Sequence, residues 1–241
     1  MEMKILTWNI WSDPRHFSER IISMYDIIDG YDFICLQEVT LESLQMFIEK
    51  FNNDYDFYYD ISLVSIPNKY GEIIMAKKEF NCEFQTISFP TSINRYTKYI
   101  NILSYSNISI INVHLDSVFG NDSKTKQEQL KYLDSSVVKA NLSIAESECF
   151  ICGDMNLADE DQGWVELFKQ IIDIGGNQNT YDCEKNTNAK LFSSRLDRIF
   201  YIGNKNYDIE TSLIGTEIIP GLEIHPSDHF GISLEITSSQ L

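Results

Sequence analysis

The chain has 241 residues, 43% of them apolar and 23% charged, with only 5 prolines and 11 glycines. This composition can bury a core and excludes a disordered chain. The net charge of −17 excludes a wide basic face for coating nucleic acid, so any contact with a polyanion is expected to be local, and it draws divalent cations to a carboxylate-lined cleft.

Residues 4–11, KILTWNIW, are rich in β-branched and aromatic residues and predict a strand. FSERIISMYDIIDG (17–30) predicts a helix, with Ile21, Ile22, Tyr25 and Ile28 near one face and Gly30 at the C-terminal cap. DFICLQEV (32–39) is a short apolar run, as in a strand covered on both faces. A helix over 41–51 follows, then strands at 55–61, 70–77, 82–89, 99–105 and 108–115. Next come a long helix over 123–143, the strand CFICGD (149–154), a helix over 161–173 and a loop to about 192. Strands at 196–202, 207–219 and 229–236 complete the chain. With no repeat or linker, this order predicts a single mixed α/β domain over 1–241, two packed sheets with helices outside.

The opening MEMKILTWNIW has no basic region leading into a long apolar run, and no segment approaches ~18 apolar residues, so neither a signal peptide nor a membrane span is expected. The five cysteines, Cys35, Cys82, Cys149, Cys152 and Cys183, are an odd set that fits reduced thiols in an intracellular protein, nuclear or cytoplasmic. Cys149 and Cys152 form a lone CxxC inside an apolar strand, which reads as core thiols rather than zinc ligands.

Each apolar strand ends in polar residues. The first ends in Thr7-Trp8-Asn9, the second in Gln37-Glu38, and the strand at 108–115 in His114, Asp116 and Ser117. CFICGD runs into Asp154, Asn156, Asp159, Glu160 and Asp161. Asp197 starts a later strand, and Ser227-Asp228-His229 leads into the last. Ligand sites of α/β sheets gather at such ends. Each group also has a plain structural reading. Asn9 can cap a turn, Glu38 can begin the next helix, His114 can be a satisfied core histidine, Asp154 and Asn156 can form an Asx turn, and Asp228-His229 can be a surface pair. Taken together, those readings require many unrelated coincidences.

LTWNIW, LQEV, NVHLDS, GDMN, LDRIF and PSDHFG, in this order over residues 4 to 236, resemble the endonuclease/exonuclease/phosphatase superfamily. That resemblance implies a four-layer α/β-sandwich of two mixed sheets flanked by helices. Within the superfamily, GDMNLADED, TYDCEKN and PSDHFGI resemble the tyrosyl-DNA phosphodiesterase 2 family. The implied reaction is hydrolysis of the phosphodiester between a protein tyrosine and a DNA or RNA 5′ end, leaving a 5′-phosphate, with Mg²⁺ or Mn²⁺ and a role in DNA repair. Two positions depart from the pattern. Ala158 stands where the family places an arginine in NLxD, and Val118-Phe119 follow HLDS where another is common. Arg95, Lys98, Lys190 and Arg195 are the candidate substitutes.

The resemblance assigns roles that the chemistry supports. Attack on an anionic diester needs a metal ion, and Glu38 is the expected main ligand, with Asn9 acting through a water and Asp228 as an outer or alternative ligand. Asp154 would take the proton of the attacking water, and Asn156 would orient that water or a phosphate oxygen. His229, held by Asp197, would stabilise charge on the phosphoryl oxygens as a cation, with His114 a second donor. Ser117, Tyr70, Arg95, Tyr181 and Asp159 are candidate substrate contacts, and Phe119 and Trp164 further stacking surfaces. His16 and His225 read as surface residues. The expected partner is a nucleic-acid 5′ end carrying a tyrosyl adduct, with no membrane, acted on by a monomer. Alternatives are another member of the superfamily (an abasic-site endonuclease, a deadenylase, a lipid or inositol phosphodiesterase) or a catalytically inactive binding module.

Overall fold

The computed structural model describes residues 2–67, 69–92, 98–117, 123–135, 147–158 and 171–238. The first half runs β1 (Glu2–Asn9), α1 (Phe17–Ile28), β2 (Phe33–Thr40), α2 (Leu41–Phe51), β3 (Tyr55–Tyr59), the short α3 (Ser62–Ser65), β4 (Tyr70–Lys77), β5 (Glu83–Ser88), β6 (Tyr99–Tyr105) and β7 (Ile108–His114). The second half adds α4 (Ser123–Leu133), β8 (Glu148–Asp154), β9 (Ile172–Asp173), β10 (Tyr181–Asp182), β11 (Ser193–Ser194), β12 (Asp197–Ile202), β13 (Tyr207–Ile214) and β14 (Gly231–Ser238). Two six-stranded sheets form, in the orders β13-β14-β1-β2-β4-β3 and β5-β6-β7-β8-β12-β9, with a two-stranded ribbon β10-β11. The β1–β2 and β7–β8 pairs are parallel and the others antiparallel.

Strand alternation builds the layers. Met3, Ile5, Phe33 and Cys35 of the first sheet meet Ile110, Phe150, Cys152 and Ile199 of the second in one buried cluster. The opposite face of the first sheet packs Leu6, Trp8, Ile34 and Leu36 against Ile21, Met24 and Ile28 of α1 and Leu44 and Phe47 of α2. The outer face of the second sheet packs Ile111, Val113 and Ile151 against Leu130 and Leu133 of α4. The result is the four-layer sandwich that the resemblance implied. Ile22, expected on the inward face of α1, is 56% exposed, and Met24 takes that place. Asp29 closes α1, and Gly30 follows it with φ 90°, a left-handed conformation that glycine adopts without strain. Cys149 and Cys152 are buried free thiols in different clusters, on opposite faces of β8, as three-residue spacing on a strand requires.

The inter-sheet rows are graded. Met3 and Ile5 lead to Thr7 and Asn9; Phe33 and Cys35 lead to Gln37; Ile108 and Ile110 lead to Asn112 and His114; Phe150 and Cys152 lead to Asp154. All four rows turn polar at the same end of the sandwich. Amides join the sheets there. Gln37 Nε2 donates to Thr7 Oγ1 at 3.0 Å and to Asn112 Oδ1 at 2.8 Å, and Asn112 Nδ2 donates to the carbonyls of Leu36 and Ile73 at 3.0 and 2.8 Å. Buried amide donors satisfied in this way fix the registration of the two sheets.

Several element boundaries differ from expectation. Residues 172–173, assigned to the end of a helix, form β9 and pair with Tyr201 and Phe200 of β12. Residues 161–170 of that expected helix, and residues 136–143 of the one expected over 123–143, lie outside the described residues. The loop expected to about 192 contains β10, which pairs with β11 just beyond it, and the strand expected over 207–219 stops at Ile214.

Candidate active site

At the polar end of the sandwich a cleft of about 240 Å³ is lined by Glu38, Tyr70, Lys98, His114, Ser117, Asp154, Asn156, Tyr181, Phe192, Leu196, Asp228 and His229. Three neighbouring strands place its centre. His114 ends β7 and pairs in register with Asp154 of β8, which pairs with Asp197 of β12. Gly153 makes this close pairing possible. Its φ is 136°, and a Cβ there would overlap the Val113 carbonyl oxygen.

Asp154 and Asp197 are both buried, and two carboxylates opposite each other on adjacent strands repel. The His229 ring lies against both. Its Nδ1 is 2.7 Å from Asp197 Oδ2, and its Nε2 is 3.9 Å from Asp154 Oδ2. Burial opposes a charge on this ring, but Asp197, then Asp154 and Asp228, outweigh it and hold the His229 pKa well above its ordinary value. Burial and the Asp197 charge push Asp154 up to about 6, against the pull of His229 and a hydrogen bond from Asn9. His114 differs: burial, Lys98 and His229 hold its pKa well below the ordinary value, so it is neutral. Its Nε2 lies 3.5 Å from Asp154 Oδ2, and its buried Nδ1 has no hydrogen-bond partner among the described residues. His114 is therefore not a satisfied core histidine.

Glu38 enters the cleft from the end of β2. Its Oε2 accepts from the Ser12 N–H at 3.0 Å and the Ser12 hydroxyl at 2.7 Å, and its Oε1 accepts from Asn9 Nδ2 at 3.3 Å. It does not start α2. Thr40 caps that helix in a reciprocal box with Ser43. Asn9 Nδ2 also donates to Asp154 Oδ2 at 3.0 Å, while its Oδ1 accepts the Trp11 N–H at 3.0 Å. Asn9 thus bridges Glu38 to Asp154. Asn156 donates its N–H to Asp154 Oδ1 at 2.9 Å and its Nδ2 to the Leu115 carbonyl at 3.0 Å, so the Asx turn exists and aims the carboxylate. Asp228 is partly exposed, and its pKa is pushed up to about 6 by burial, with Glu38 and Asp154 adding to the rise and His229 opposing it.

The donor set fits a hard dication. Glu38, Asp154 and Asp228 line one cleft, and burial and neighbouring acids leave the last two short of compensating positive charge. One oxygen or nitrogen each from Asp154, Asp197 and His229 also lie within 4.8 Å of one another and could hold a metal. There, however, a metal on Nδ1 would displace the 2.7 Å His229–Asp197 contact.

Among the expected substrate contacts, Tyr70, Ser117 and Tyr181 line the cleft; Arg95 and Asp159 lie outside the described residues, as do Phe119 and Trp164. Tyr181 stands edge-on to His229, with centroids 5.2 Å apart, and stacks on Phe192 at 4.9 Å. Of the proposed arginine substitutes, Lys98 lines the cleft and donates to the Leu115 carbonyl at 3.0 Å, whereas Arg195 is held by Asp173 at 2.6 Å and the Lys190 side chain is exposed. His225 is buried, not on the surface: Thr187 and the Thr216 carbonyl hold its ring. His16 is exposed as expected. Sequence reasoning missed Glu72, a buried acid whose Oε1 lies 3.9 Å from His114 Nδ1 and whose pKa burial pushes up to about 7, against Lys98. Period-two alternation from Tyr70 along β4 was the signal that could have found it.

Paired mixed sheets whose polar ends close on a histidine–aspartate cleft define an α/β-sandwich of the phosphodiesterase and nuclease class. The chain belongs to the Endonuclease/Exonuclease/phosphatase family, whose sequence profile matches residues 6–229. Enzymes of that family depend on a divalent metal. Truncated Caenorhabditis elegans TDP2 is 25% identical with a TM-score of 0.84, the match covering 98% of each chain. D. rerio TDP2, solved with a single-strand DNA product, is 22% identical with a TM-score of 0.80, covering 98% of this chain and 99% of that one. Staphylococcus aureus beta toxin, 17% identical over 96% of this chain and 99% of that one, shares the fold with a TM-score of 0.73. No curated protein sequence matches. Among the described residues no helix is long and apolar enough to cross a membrane.

Proposed function

We propose that this chain is a Mg²⁺-dependent phosphodiesterase, able to use Mn²⁺, that hydrolyses the bond between a protein tyrosine and the 5′ end of DNA or RNA. It leaves a 5′-phosphate and serves DNA repair. Its whole length acts as one catalytic domain and as a monomer, in the nucleus or cytoplasm, where five free cysteines stay reduced. The observation that carries this reading is the buried Asp197–His229 pair at 2.7 Å set against Asp154, in a cleft that Glu38 also lines. The likeness to TDP2 structures and the NLxD wording at 156–159 support the tyrosyl substrate.

Glu38, together with Asp228, would hold the metal, which would supply positive charge to the phosphate oxygens. The protein's own groups do the rest. Asp154, raised to about 6, is basic enough to take a proton from an attacking water yet ionised at neutral pH. Asn156 and Asn9 fix its two oxygens at 2.9 and 3.0 Å. Cationic His229 faces the phosphoryl oxygens, where charge accumulates, and Asp197 accepts its Nδ1 proton and fixes the ring's orientation. Neutral His114 donates a single N–H on the same side. A tyrosine leaves as a phenolate, pKa near ~10, so the cleft has no need of a strong general acid.

The decisive assay is release of tyrosine from a 5′-phosphotyrosyl oligonucleotide with Mg²⁺ and with EDTA. A second reading, another phosphodiester of the same superfamily, is favoured by the scarcity of cations: beside its two histidines the cleft has only Lys98, among the described residues. Abasic duplex, poly(A) and sphingomyelin, assayed beside the tyrosyl substrate, separate the two readings.

A further inference from the structure

A second concavity of about 730 Å³ opens beside the cleft, within the ~300–1,000 Å³ usual for a bound ligand. Its walls include Ser12, Phe17, Leu41, Glu42, Lys69 and Tyr70. Two of these tie it to the reaction site. Tyr70 lines both spaces, and Ser12 donates twice to Glu38. The groove is built by the segments after β1, around the start of α2 and before β4, all on the first sheet. Tyr181, Phe192, Leu196 and Ser117 reach the cleft from the second sheet and the ribbon. A phosphodiester carries two substituents, and these two sides give each its own exit from the phosphate.

The chemistry of the groove identifies its occupant. Lys69 is buried, and its ammonium is already engaged, bonded to the Ser62 hydroxyl and 4.6 Å from the centre of the Tyr99 ring. Glu42 is exposed at the first turn of α2, and Leu41 beside it is 42% exposed. Among the described residues, the groove offers an exposed acid, apolar side chains and a single lysine that is already engaged, which disfavours a nucleic-acid backbone. It suits a polypeptide of neutral or basic sequence, bound by apolar contact and by charge at Glu42.

We propose that this groove binds the polypeptide flanking the adducted tyrosine, so that the enzyme recognises the protein side of its substrate as well as the nucleic acid. The proposal rests on the tyrosyl reading above and names the partner of that same site.

The test compares one oligonucleotide carrying either free tyrosine or a tyrosine within a short lysine-flanked peptide at its 5′ phosphate. The readout is the ratio of kcat/KM for the peptidyl over the bare substrate, in the full chain and in Leu41→Ser and Glu42→Lys. The full chain should prefer the peptidyl substrate by roughly fivefold, the worth of one partly buried apolar side chain, and each variant should move the ratio toward one. Turnover of the bare substrate should be unchanged in Leu41→Ser. A ratio of one in the full chain, or a ratio neither variant moves, overturns the groove assignment while the tyrosyl reading stands. If the variants instead change KM with oligonucleotide length on the bare substrate, the groove carries nucleic acid and the assignment is wrong. No turnover of either substrate refutes the tyrosyl reading itself, and the groove assignment with it.

Discussion

Replacing Asp197 by Asn isolates the charge that holds His229. Asp197 is fully buried, its N–H contributes to a contact with Thr180 Oγ1 at 3.0 Å, and its Oδ2 lies 2.7 Å from His229 Nδ1. Asn keeps the shape and an acceptor but removes the charge. A hydrogen bond to a charged group contributes ~1.5–3 kcal/mol, and at ~1.4 kcal/mol per pKa unit the His229 pKa should fall by ~1–2 units. Asp154 and Asp228 remain to support the cation, so the fall is partial. The sign follows from the raised pKa. The imidazolium's contribution is fully present below its ordinary value of 6.5 and is lost as pH rises through the higher folded value. The variant should therefore lose rate chiefly on the alkaline side. A pH–rate profile for kcat on a tyrosyl oligonucleotide should show the alkaline limb ~1–2 units lower, with the histidine ring titration by NMR moving by the same amount. An alkaline limb that stays in place would show that His229 acts neutral, or that Asp197 does not set its charge.

The other expectations concern the neighbouring groups. Asp154→Asn should lower kcat by at least ~10² with KM nearly unchanged, and a normal rate would mean the base is elsewhere. Glu38→Gln should abolish most metal-dependent turnover while the fold survives; full activity in EDTA would defeat the metal mechanism. Asp154 and Asp228 have folded pKa values raised to about 6 from 3.8, so metal-free stability should fall as pH rises through that window, and the Tm gain on adding Mg²⁺ should be larger at neutral pH than at pH 5. A pH-independent Mg²⁺ shift would separate these two acids from the metal. Ala158→Arg should lower KM by up to ~10-fold at low salt, less at high salt; an unchanged KM would place residue 158 away from the substrate phosphates.

Much of the arrangement was legible because chemistry and strand ends coincide in the sequence. GDMN, LDRIF and PSDHF each attach a polar group to a buried strand, and register then brings His114, Asp154 and Asp197 side by side. The β10–β11 ribbon was not legible, since two-residue strands carry no period. Residues 172–173 were read as helix because strand pairing with β12, a long-range contact, outweighs local propensity there. His225 was misread for the same reason: its partners Thr187 and Thr216 lie 38 and 9 residues away and leave no local mark. Glu72 was hidden differently. It is an ordinary charged residue until the sheets stack and bury it.

Glu38 shows how the backbone departs from regular pairing to build the site. Phe33, Cys35 and Gln37 form the inward row of β2, while Ile34 and Leu36 face the helices. Strict alternation would send Glu38 with Leu36 into the apolar layer under α1 and α2. Instead the pairing with β4 slips between Leu36 and Val39, and Glu38 adopts φ 57°. The left-handed turn redirects its carboxylate into the cleft, where Ser12 and Asn9 hold it. Asn156 does likewise beyond the end of β8, with φ 49°, and there it locks Asp154 Oδ1. A side chain held in this region costs of order ~1–3 kcal/mol, less for asparagine, and persists only where surrounding contacts over-determine it. In both places the strain falls on the residue that breaks the strand's alternation. The sandwich supplies rigid, graded rows, and the two strained strand ends turn them into a site by bringing an acid and an amide out of register into one polar cleft.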